Sequence, residues 1–167
     1  METRSLLFRF QVVIAAFMVG LILSGVTAFP LLSEMKLLTQ WLGVGAATST
    51  AGHSGVVFWI LTVRFGLEDM YQHYPWIAYG TDWLAFAHLV IAIFFIGPLL
   101  QPRGSRSVLW AGVVACASVI PLALIAGPIR GIPFYWRLID CSFGICGVVP
   151  LLYCLQLLRK MESSEIK

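Results

Sequence analysis

The chain has 167 residues, 59% of them hydrophobic and 11% charged, with a mean hydropathy of +0.88. Soluble domains carry roughly 25% charged residues, so this composition excludes a water-solvated surface over most of the chain and points to a bilayer. The formal net charge of +3 comes with no basic run and no aromatic–basic interleaving, so no nucleic-acid partner is expected.

The first apolar stretch, 10–29, follows Arg4 and Arg9 and closes on Val26-Thr27-Ala28. That order also suits a signal peptide. Its apolar core is long for that purpose and Pro30 follows at once, so a retained membrane helix is the expectation. Three further runs, 79–100, 108–126 and 134–158, each supply the ~20 apolar residues that a spanning helix needs. A fifth stretch, 43–63, is only mildly apolar, rich in Gly, Ser and Thr, and contains His53.

Charge decides its status. With four spans and the N-terminus inside, the cytoplasmic side holds Arg4, Arg9, Arg103, Arg106, Arg159, Lys160 and Lys167. The outer side holds Lys36, Arg64, Arg130 and Arg137, which makes seven against four, as the positive-inside rule requires. A fifth span would make it five against six. The expected architecture is therefore an all-α, four-transmembrane-helix bundle, one membrane domain over 1–167, with both termini cytoplasmic.

The segment 30–75 becomes an external excursion. Its second half places Val56, Ile60, Val63, Leu67, Met70 and Tyr74 at steps of four and three, which align on one helix face. Arg64 and Glu68, at i and i+4, can pair on the solvated side, and Pro75 ends the pattern. An external amphipathic helix between spans 1 and 2 is predicted, lying in the interface or across the bundle mouth. Trp41, Trp59, Trp76, Trp83 and Trp136 fall near the outer boundary and Trp110 near the inner one, as in the aromatic belts of membrane proteins.

Small residues four apart suggest helix packing: Gly20/Ser24, Ala111/Ala115, Gly112/Cys116 and Ser142/Cys146. The four cysteines, Cys116, Cys141, Cys146 and Cys154, show no metal-binding spacing. Cys141 and Cys146 stand about 140° apart around a helix, so packing roles are expected for them.

Ionisable residues inside a membrane are costly to bury and mark a site by default. Asp82 and His88 lie on the second span; Arg137 and Asp140 open the fourth, with Arg130 just before it. Six positions separate Asp82 from His88, which puts them on different helix faces; Thr81 and Ala85 share the His88 face. Two readings compete. In the plainer one, Asp82, Arg130, Arg137 and Asp140 form an ion-pair network between helices, with Arg137 and Asp140 pairing along their own helix. In the other, the same groups line an outward-facing pocket with Glu34 and His73 at its rim. The arginines would then hold an anionic ligand, or the carboxylates and His88 would serve acid–base or proton-transfer chemistry.

No Walker motif, nucleophile elbow or HExxH is present, and the inner turn 101–107 and the tail 159–167 are too short for a domain. No cofactor is expected. Haem is the alternative, held by His88 as the one histidine securely inside a span. The function expected is binding of a partner subunit, a lipid or a small anionic ligand, with the bilayer and a membrane-protein partner or second copy as companions. The alternative is a membrane enzyme or redox carrier using His88 and Asp82.

The strings LSGVTAFPL (23–31), YPWIAYGTDWLAFAH (74–88) and GPIRGIPFYWRLIDCSFG (127–144) resemble a group of bacterial four-helix inner-membrane proteins to which no activity is attached. The resemblance implies a bacterial inner membrane and four spans, and carries over no functional residue.

Overall fold

The computed structural model describes residues 2–164, with side chains from Arg4 onward; Lys167, counted above among the cytoplasmic charges, lies outside them. The described residues form seven helices and no strand: α1 Glu2–Ala28, α2 Leu31–Trp41, α3 Gly55–His73, α4 Pro75–Phe94, α5 Ile96–Leu100, α6 Arg106–Ile129 and α7 Phe134–Ser163. Four stretches are long and apolar enough to cross a membrane, namely Arg4–Ala28, Pro75–Leu100, Arg106–Ile129 and Phe134–Ser163.

The breaks follow from local chemistry. Tyr74, ahead of a proline, leaves the helical region at φ −136° and ψ 55°. Pro75 then opens α4, where its missing N–H costs nothing. Proline at 98 cannot donate to the carbonyl of Phe94, and the helix is interrupted at Phe95 before α5 resumes. α6 closes in a Schellman turn: Ile132 N–H donates to Gly127 O at 2.9 Å and Gly131 N–H to Pro128 O at 3.1 Å. Gly131 supplies the required positive φ of 71°.

The chain divides into two compact units. The first holds α1 as far as Gly20 and everything from Ala92 onward. Its most extensive pairing is α6 against α7, built on bare backbone: a Cβ added at Gly144 would meet the Cys116 carbonyl oxygen at 2.6 Å. At Gly112 the ring of Phe95 fills the equivalent space, and at Gly147 the Cys116 sulfur does. Phe95 in turn meets Phe17 edge-on at 4.8 Å. The core of this unit lies toward the Arg106 end of α6, where Leu151, Cys154, Leu155, Leu158 and Met161 of α7 are buried. Gln11 Nε2 donates to Leu99 O, and Arg106 pairs with Glu162, at that same end. Of the small-residue pairs expected to pack, Gly112/Cys116 does so, whereas Ala111, Ala115, Ser142 and Cys146 are exposed.

The second unit, Leu21–Ile91, holds the end of α1, α2, α3 and most of α4. α2 lies inside the segment read as an external excursion and has no counterpart in the sequence reading. α3 covers the stretch predicted to be helical; of the face expected to be apolar Ile60 is buried while Val56 and Tyr74 are exposed, and Leu61, off that face, is buried as well. The expected Arg64–Glu68 pair forms at 3.1 Å, but Arg64 is not on a solvated face: its side chain is 15% exposed. Its guanidinium donates to Gly45 O at 2.9 Å and to Thr39 Oγ1 at 3.4 Å, while Lys36 approaches Glu68 at 3.6 Å. One forked side chain thus joins α2, the loop after it and α3. α1 and α4 meet where Gly25 presents bare backbone to Ala85 O at 2.8 Å and to His88 Cβ at 3.2 Å, both measured from an added Cβ.

Candidate functional site: an aromatic cleft around Asp82

Helical geometry sorts the polar residues of α4 onto two faces. Ala78, Ala85 and His88 lie inward, with Ala78 and Ala85 buried and Thr81 half-buried beside them. His88 Nδ1 lies 2.8 Å from Leu84 O. A carbonyl only accepts, so Nδ1 carries the proton and Nε2 keeps its lone pair in the neutral ring. The ring is thereby bonded to its own helix, with its Cβ against the glycine contact on α1.

The other face carries Tyr79, Asp82, Trp83 and Phe86, at i, i+3, i+4 and i+7. With Phe29, from the turn between α1 and α2, these side chains line an open cleft of about 220 Å³. Tyr79 stands edge-on to Trp83 at 6.0 Å and 83°, and Phe86 does so at 6.0 Å and 89°. Two rings thus rise nearly perpendicular to a third. Asp82 is half-buried among them and, within its unit, has neither an ion pair nor a hydrogen bond. Its position seven residues into α4 puts it about 10 Å from Pro75 along the helix axis. Tyr74 and Trp76, exposed and edge-on at 5.6 Å, continue the aromatic surface toward that end.

The rim residues expected at this site are elsewhere engaged or apart from it. His73 Nδ1 meets Asp69 Oδ1 at 2.8 Å on an exposed stretch of α3. Glu34, half-buried in the first turn of α2, does not line the cleft. Sequence reasoning missed Phe29, Tyr79, Trp83 and Phe86 as a lining, although the spacing of the last three with Asp82 is a readable stripe.

Arg130, Arg137 and Asp140 belong to the first unit, around the turn from α6 to α7. Arg130 is the exposed C-cap of α6. The expected pairing of Arg137 with Asp140 does not form. Side chains on a helix lean toward its N-terminus, so Arg137 reaches back, away from Asp140, and stacks over the Phe134 ring at 5.2 Å. Its stem fills the space left by Gly127 on α6, and its Nε is buried with no hydrogen-bond partner. Asp140 is half-buried and makes no ion pair among the described residues.

Among the described residues no group of three or more His, Cys, Asp or Glu side chains is placed to hold a metal. No protein-family model, curated protein or solved structure matches this chain.

Proposed function

We propose that this chain is a multi-pass protein of the bacterial inner membrane that works by binding, and that its ligand is a lipid whose headgroup enters the cleft around Asp82. The observation that carries this reading is the cleft itself: four aromatic rings and one unpaired carboxylate near the end of a helix long and apolar enough to cross a membrane, which in this reading sets them at headgroup depth. Tyr and Trp favour this depth because their rings are apolar at one end and polar at the other. The arginines, considered above for an anionic ligand, lie outside the cleft, and Arg137 is occupied by Phe134 and Gly127. Orientation belongs to the same proposal: the basic residues Arg4, Arg9, Arg103, Arg106, Arg159 and Lys160 face the cytoplasm, which puts the cleft in the outer leaflet.

Native mass spectrometry of the full chain, released from a gentle detergent after extraction from membranes, tests it. Wild-type protein is expected to carry lipid mass that Trp83→Ala loses and Trp110→Ala keeps. A lipid-free wild type, or equal retention by both variants, overturns the reading.

A further inference from the structure

Resting on that lipid-binding reading, we infer that the cleft selects a headgroup bearing a primary ammonium, of the phosphatidylethanolamine type. Three observations converge on a cation. Asp82 is the one carboxylate among the five lining residues, and among the described residues no basic side chain lines the cleft. The rings of Tyr79 and Phe86 stand at 83° and 89° to Trp83, and these three rings line the cleft together with Phe29. Aromatic faces carry negative potential and attract ammonium groups, most strongly where water is scarce.

The third observation separates one ammonium from another. Asp82 is half-buried and meets no hydrogen-bond donor within its unit among the described residues, and a carboxylate without a partner gains from a charge-assisted bond. A primary ammonium has three N–H donors and can satisfy it by a charge-assisted bond while its remaining surface lies against the rings. A trimethylammonium would gain the ring faces but has no donor for the carboxylate. An anionic glycerol headgroup would meet like charge. The volume of about 220 Å³ accommodates either amine, so the discrimination resides in Asp82 and not in size.

The test places the full chain in nanodiscs holding equal parts of phosphatidylethanolamine, phosphatidylcholine and phosphatidylglycerol, and reads retained lipids by native mass spectrometry. Wild type is expected to enrich the ethanolamine lipid about fivefold over either competitor, the scale of one partly desolvated cation contact. Asp82→Asn, close in shape, should bring ethanolamine and choline lipids to parity while still retaining lipid. Asp82→Glu should keep the preference, which separates loss of charge from loss of fold. Retention of choline lipid over ethanolamine lipid, retention of phosphatidylglycerol at least as strongly, or an unchanged preference in Asp82→Asn overturns the headgroup assignment and leaves lipid binding standing. Absence of any retained lipid overturns both.

Discussion

The stem of Arg137 lies across the bare backbone of Gly127, so that one helix's charged side chain occupies the groove made by the other's missing Cβ. A methyl group at position 127 would overlap Arg137 Cγ and Cδ, and the guanidinium would have to leave the Phe134 ring. Gly127→Ala should therefore destabilise the protein by about 1–3 kcal/mol, the usual cost of overpacking. The double variant Gly127→Ala/Arg137→Ala should recover part of that loss, because the two groups share one space. Thermal unfolding of the four proteins in one detergent measures the coupling; strictly additive losses would contradict the contact.

Arg64 holds Thr39, Gly45 and Glu68 at once. Arg64→Ala leaves the buried Thr39 hydroxyl and the Gly45 carbonyl with one partner fewer, at a cost of about 1–3 kcal/mol. Arg64→Lys should restore little, since an ammonium on a flexible stem cannot reproduce the planar fork. Hydrogen exchange reads the effect locally: amides of 42–54 should exchange faster in both variants, while those of α6 and α7 stay unchanged.

Glycines differ sharply in what they tolerate. Gly144→Ala drives a methyl against the Cys116 carbonyl oxygen at 2.6 Å, whereas Gly20 has nothing within 4 Å. The first substitution should lower stability by about 1–3 kcal/mol. Gly20→Ala should leave it unchanged or raise it by about 0.5–1 kcal/mol through helix propensity. Comparing their unfolding midpoints checks both; equal behaviour would remove the close α6–α7 approach from consideration.

The proposed orientation is open to labelling. Cysteines introduced at the exposed positions Thr48 and Gln101 should report opposite sides of the membrane. In intact spheroplasts a membrane-impermeant maleimide should add mass to Thr48→Cys, and to Gln101→Cys only after permeabilisation. The reverse pattern would place the Asp82 cleft in the inner leaflet.

The four helices long and apolar enough to cross a membrane were legible because each is a long apolar run closed by proline, glycine or charge, the signals of highest contrast in a sequence. α2 was not, because its eleven residues mix Glu34, Lys36, Thr39 and Gln40 with leucines and sit directly after Pro30. The polar residues stood out in the sequence, yet their partners could not be read. Arg137 can reach either neighbouring turn of its helix, and the choice is settled by Gly127, ten positions away on another helix. Tyr79, Asp82, Trp83 and Phe86 announce one face by their spacing alone. That Phe29 joins them depends on the turn after α1, which no local pattern encodes.

The contact between α6 and α7 has a consequence for biogenesis. Its two helices are joined by only the residues from Arg130 to Pro133, so the hairpin closes over a short loop, at small entropic cost. It can form as soon as both helices have left the insertion machinery. The surface it then offers contains a slot at Gly112 that the Phe95 ring fills, whereas the space at Gly147 is already taken within the hairpin by the Cys116 sulfur.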